Sequence, residues 1–135
     1  MTVAVILGDG RFSIDRKALR SLAGRVLNGE GEAHRSMNIV YCTDRYMQSL
    51  NLKFGNNGKI TDVLAFDLSD GETPGFIGEV YVNLQQARRQ AEEMDISYIE
   101  EVKRLTVHGI LHLLGYRDRR AVDRRRMWDR QESYL

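Results

Sequence analysis

The sequence has one cysteine, and its charges nearly cancel, leaving a formal net charge of +1 with 29% charged residues. Cys42 alone cannot form an intramolecular disulfide, and such usage fits a reducing cytoplasmic setting. Near-zero net charge means that bulk electrostatics select neither a nucleic acid nor a membrane as partner. Long apolar runs are also missing. The longest stretch without an ionised residue, Leu105 to Tyr116, is twelve residues long, whereas a membrane-spanning helix needs about 20. The N-terminal apolar segment is short, lacks a basic lead and runs into Gly8-Asp9-Gly10, so it does not read as a signal peptide. No internal repeat, linker or low-complexity segment is visible. A chain of 135 residues is expected to form a single domain, residues 1–135, that buries about two-thirds of its unfolded surface.

Histidine is scarce too, with three in the chain, yet two of them share that apolar run: His108 and His112. Side chains four apart on a helix lie over one another, within about 6 Å at Cβ, so both imidazoles can reach one ion. Gly115 stands where a helix stops through a left-handed residue, a conformation glycine adopts without steric cost. The chain can then turn and bring Asp118 back toward the histidines. His108, His112 and Asp118 with a coordination position left for water would suit a catalytic zinc, one Zn2+ per chain, rather than a closed structural site. Asp118 also precedes Arg119-Arg120-Ala121-Val122, where it would serve equally well as a helix N-cap. Spacing alone does not decide between ligand and cap. The residue after the first histidine is Gly109 and not the general-base glutamate of the zinc-peptidase pattern, which disfavours a peptidase.

The remaining pattern supplies the frame. Val3–Leu7, Met37–Cys42, Thr61–Leu68 and Phe76–Val82 read as strands, the last two as a hairpin joined by the turn-rich segment 69–75. Ser13 is expected to cap a helix to about Leu27, Thr43 a second, and Asn83 a third to about Met94. Ser97 with Glu100 makes a capping box that opens the helix carrying both histidines. A last helix is expected over Arg119–Ser133, partly burying Val122, Met127 and Trp128. A mixed four-stranded sheet with about five helices packed on it, hence α+β, accommodates this order.

Seven arginines fall between Arg117 and Arg130, interrupted by Asp118, Asp123 and Asp129. Such a run can be a solvated helix face laced with ion pairs. It also begins beside the proposed metal, where guanidinium forks could hold phosphates.

These segments resemble the YbeY family of bacterial metal-dependent endoribonucleases. The family signature His-Gly-x-Leu-His-Leu-x-Gly-Tyr-Asp-His is matched by His108-Gly109-Ile110-Leu111-His112-Leu113-Leu114-Gly115-Tyr116-Arg117-Asp118. The motif Thr-Asp-Val-Leu-Ser-Phe-Pro appears as Thr61-Asp62-Val63-Leu64-Ala65-Phe66-Asp67, and Gly78-Glu79-Val80-Tyr81-Val82 resembles the Gly-Asp-Ile strand. The resemblance implies a zincin-like fold, a zinc ion and hydrolysis of single-stranded RNA. It also implies work on ribosomal particles, in maturation of the 3′ end of small-subunit (16S) ribosomal RNA and in ribosome quality control. Asp118 falls on the family's third histidine ligand, and Arg117 on the aspartate before it. Gly55 occupies the position of a family arginine, with Lys59 as the nearby cation. Arg117, Arg119, Arg120 and Lys59 are therefore the expected phosphate contacts. Zinc on the three ligands would lower the pKa of a bound water toward neutrality, while Glu79 would serve as general base only if its strand faces the metal. The Gly55 departure keeps open a non-catalytic ribosome-assembly module, and a metallohydrolase of another substrate is a third reading.

Overall fold

The computed structural model describes residues 3–8, 11–55 and 58–135; Asp9, Gly10, Asn56 and Asn57, expected in turns, lie outside the described residues. Strands β1 (Val3–Leu7), β2 (Ser36–Cys42), β3 (Val63–Asp67) and β4 (Phe76–Asn83) form one sheet in the order β1-β2-β4-β3. β1, β2 and β4 run parallel, and the β3–β4 hairpin adds an antiparallel edge, so the sheet is mixed as expected. The helices are α1 (Arg16–Gly29), α2 (Asp44–Lys53), α3 (Leu84–Met94), α4 (Tyr98–Leu113) and α5 (Ala121–Glu132). The architecture is a zincin-like α+β fold.

Strand alternation divides the apolar residues between two faces. Val3, Val5, Met37, Ile39, Val80 and Val82 join the main core with α1, α3 and α4, while Tyr81, Val40, Leu64 and Phe66 turn to the other face and pack with Met47 of α2. α4 is the central helix, with Val107, Ile110 and Leu111 buried among both the sheet and its neighbouring helices. Gly109 explains how close it comes. A Cβ there would lie 2.8 Å from Val63 Cγ2 and closer still to Val80 Cγ1. Both obstacles are stiff β-branched side chains in the core, so the helix approaches the sheet only because this position carries none. The missing glutamate is thus a packing requirement as well as a chemical absence.

Two helix starts differ from the sequence expectation. Asp15, not Ser13, caps α1, its Oδ1 accepting from Ala18 N–H at 3.0 Å. The carboxylate carries full charge at the positive helix end, which favours it over a hydroxyl two residues earlier. α5 begins at Ala121 with Arg120 at its N-cap and no side-chain cap bond, so Asp118 does not cap it. Val122 is 66% exposed and Trp128 48% exposed, and α5 buries only Met127 and Gln131. An arginine-rich helix has too narrow an apolar stripe to cover more.

Asn83 fixes the loop before β3. Its side-chain oxygen accepts from Gln85 and Gln86 N–H at the start of α3, and its amide donates to Asp44 Oδ1 at 2.8 Å and to Thr61 O at 3.2 Å. Its own N–H donates to Asp62 O at 2.8 Å. The Thr-Asp pair of the second motif is thereby anchored to the end of β4.

Candidate metal centre

α4 ends where the chemistry begins. Its last turn closes as a Schellman motif: Tyr116 N–H donates to Leu111 O at 3.0 Å and Gly115 N–H to His112 O at 3.0 Å. Gly115 has φ +102°, which a side chain would strain. The following loop is pinned at both ends. Tyr116 Oη donates to Glu30 at 2.6 Å, and Arg124 of α5 donates to the backbone oxygens of Arg119 at 2.8 Å and Asp118 at 3.4 Å. These ties return Asp118 to the helix end.

There the three expected ligands converge. One donor atom from each of His108, His112 and Asp118 lies within 4.8 Å of the others. His112 Nε2 stands 3.2 Å from Asp118 Oδ2, and the two imidazole rings meet edge to face at 4.6 Å. Tetrahedral zinc with bonds of about 2.0–2.2 Å needs donors roughly 3.3 Å apart. The His112–Asp118 pair already has that spacing. Burial, and after it the neighbouring His108, hold His112 below the usual histidine pKa, against the pull of Asp118. A histidine must be neutral to bind a cation, so the lowered pKa of His112 suits it to the role of ligand.

The cavity beside the ligands, about 330 Å³, is lined by His112, Gly115, Tyr116, Arg117, Asp118 and Arg119. The neighbouring one, about 360 Å³, adds Arg120, Asp123 and Arg126. The arginines are not equivalent. Arg120 pairs with Asp123 at 2.8 Å and Arg130 with Glu30 at 2.6 Å, while Arg124 holds the loop backbone. Among the described residues, Arg117, Arg119, Arg125 and Arg126 have no such partner. Three of the seven are therefore engaged within the protein, and Arg117 and Arg119 are the two that line the ligand cavity with unspent guanidiniums. Lys59 is exposed; its backbone oxygen accepts from Asn51, and no contact joins its side chain to the histidines among the described residues.

Glu79 cannot serve as general base. Val80 packs against Gly109 of α4, so its strand neighbour points to the opposite face. There it accepts from Tyr81 Oη at 2.8 Å and Asn38 Nδ2 at 3.2 Å. Sequence reasoning missed Gln131, which is 2% exposed and lies 2.7 Å from His108 Nδ1 through its Oε1. The available signal was a lone amide four residues after Met127 in an otherwise charged helix.

A mixed sheet carrying a helix with two histidines one turn apart, completed by a carboxylate from the next loop, defines a zincin-like metal-hydrolase scaffold. Residues 7–135 match the family model for Endoribonuclease YbeY, and the chain belongs to that family. It is 38% identical over 138 residues to Endoribonuclease YbeY of Carboxydothermus hydrogenoformans, covering 100% of this chain and 95% of that protein. Endoribonuclease YbeY of Flavobacterium johnsoniae is 29% identical over 128 residues, 94% of this chain and 91% of the relative. Among solved structures, the solution structure of TM1509 from Thermotoga maritima aligns with a TM-score of 0.69 at 26% identity, covering 98% of this chain and 86% of that one.

Proposed function

We propose that the chain works as one domain, a zinc-dependent endoribonuclease that cuts single-stranded RNA in maturation of the 3′ end of 16S ribosomal RNA and in ribosome quality control. The observation that carries the reading is the convergence of His108, His112 and Asp118 beside two unpaired arginines, in a chain of this family. A divalent cation there supplies charge stabilisation for a phosphoryl oxygen and a water ionisable near neutral pH. His108, His112 and Asp118 hold and orient it. Arg117 and Arg119 grip the phosphates flanking the scissile bond, and their planar forks suit two oxygens at once. Arg120 contributes after exchanging Asp123 for a phosphate, and Lys59 adds charge at longer range.

Gly55 is the feature that favoured a non-catalytic assembly module. Its φ of +83° suits glycine, so an arginine here would carry backbone strain of about 1 kcal/mol or more. In this reading Arg117, which stands where the family has an aspartate, moves the guanidinium from that loop to the ligand loop. Similarity along nearly the whole chain to proteins named endoribonucleases favours cleavage over the module and over an unrelated metallohydrolase. Ribosomal particles in the cytoplasm are the proposed setting; no helix among the described residues is long and apolar enough to cross a membrane.

The arginines can be tested by salt. Binding to single strands falls by about 0.7 in log–log slope for each phosphate neutralised. Replacing Arg117 and Arg119 with Ala should flatten the slope by about one to one and a half units and slow cleavage. An unchanged slope would assign both residues to a solvated surface, and the same test on Arg125 and Arg126 would then locate the phosphate path.

A further inference from the structure

Gln131 belongs to a polar relay that crosses three helices and ends on a proposed ligand. Its Nε2 donates to Glu132 Oε2 at 3.3 Å, and a carboxylate cannot donate in return, which fixes the amide's orientation. Its Oε1 therefore faces His108 Nδ1 at 2.7 Å, and the imidazole must be the donor. Glu132 in turn receives Arg104 of α4 through two bonds, at 2.8 and 3.0 Å. Arg104 also donates to Glu101 at 3.2 Å, and Glu101 accepts from Gln90 of α3 at 2.7 Å. Gln131 and Glu101 are both 2% exposed, so water does not substitute for these partners.

We propose that Gln131 is a positioning residue that holds His108 as the Nδ1–H tautomer, so that Nε2 is the atom presented to the cation. The inference rests on the reading of His108 as a metal ligand. A ring nitrogen that donates to a fixed acceptor sets both the tautomer and the plane of the imidazole, and loss of such a partner weakens metal binding by about 10–100-fold. The acceptor here comes from α5, so the docking of that helix on α4 controls the readiness of the site. This gives the arginine-rich C-terminal helix a role in assembling the centre as well as in meeting a substrate.

The test uses the full chain with Zn2+ alone as ligand, its affinity measured by competition with a chromophoric chelator. Nitrogen-15 spectra of the histidine rings in metal-free protein give the tautomer. Wild type should show His108 protonated on Nδ1. Gln131→Leu, which keeps bulk and removes the acceptor, should lose that preference and bind Zn2+ about 10–100-fold more weakly. Gln131→Glu, which keeps an acceptor, should restore both. A buried amide that served only packing would change thermal stability and leave the tautomer and its rescue untouched. Should Gln131→Leu fail to fold, Gln131→Asn, whose amide falls one bond short, carries the same comparison. An Nε2–H ring in wild type, or wild-type affinity in a folded acceptor-less variant, overturns the proposal. The ring spectrum needs no metal, so a wild type that binds no Zn2+ would defeat the metal-site reading while Gln131 is still judged by the tautomer.

Discussion

His112→Ala should leave a folded protein that retains almost no zinc and cuts no single-stranded RNA. Wild type is expected to hold about one ion per chain, from three protein donors and an open position. His112 is the member that faces both other ligands, with Asp118 at 3.2 Å and the His108 ring at 4.6 Å. Removing it leaves two donors that no longer share a neighbour. The side chain is only half-buried at the end of α4, beyond the residues that fill the core, and alanine is the best helix former. Stability of the metal-free protein should therefore change by less than about 1 kcal/mol. Elemental analysis and thermal melting of metal-free samples read the two effects separately. Full zinc occupancy in this variant would remove His112 from the site, and collapse of the metal-free fold would make it a core residue.

Arg104→Leu should have the largest effect on stability. Arg104 joins Glu101, which is 2% exposed, to Glu132 on α5. Removing the cation leaves a buried carboxylate with Gln90 as its remaining partner, a change that typically destabilises by about 3–5 kcal/mol. For a domain of this size the melting temperature should fall by roughly 10–15 °C. Adding Glu101→Gln should recover part of the loss, because the orphaned charge is then gone. The pH dependence has a defined sign. Arg104, through its hydrogen bonds, holds the Glu132 carboxyl below its ordinary value of 4.5. A depressed folded pKa stabilises fully above the unfolded value and ceases to do so as pH falls through the folded one. The gap between wild type and Arg104→Leu should therefore be widest near neutrality and narrow below about pH 4. A gap constant down to pH 3 would show that the lost packing of the arginine stem, and not the ion pair, accounts for the difference.

What could be read in advance was what is local. The His108–His112 pair is one helical turn, Gly115 is a stop signal, and the β-branched apolar run Val3–Leu7 marks a strand that appears with those bounds. Ser97 caps α4 through its hydroxyl, which accepts from Glu100 N–H at 3.1 Å as the capping box requires. The features that escaped depend on register and on distant chain. The direction of Glu79 follows from which face of β4 meets Gly109, and spacing within the strand does not say that. Asp118 had two equivalent local roles, cap and ligand, until α5 was found to start three residues later, at Ala121. Gln131 reaches His108 across 23 residues, by tertiary docking of a helix with little apolar surface. The arginine run divides between Arg117 and Arg119 at the cavity and three that are engaged: Arg120 and Arg124 by a nearby carboxylate and loop carbonyls, and Arg130 by Glu30, 100 residues away in sequence.

The most direct test of the account is cleavage of a single-stranded RNA carrying the 3′ end of precursor 16S ribosomal RNA, by one protein sample in three states. As purified, it should cut; stripped by chelator and dialysed, it should bind the RNA without cutting; reloaded with one equivalent of Zn2+, it should cut again at the same positions. Cleavage that persists in the stripped protein, or that never appears in the zinc-loaded one, would contradict a metal-dependent endoribonuclease built on His108, His112 and Asp118.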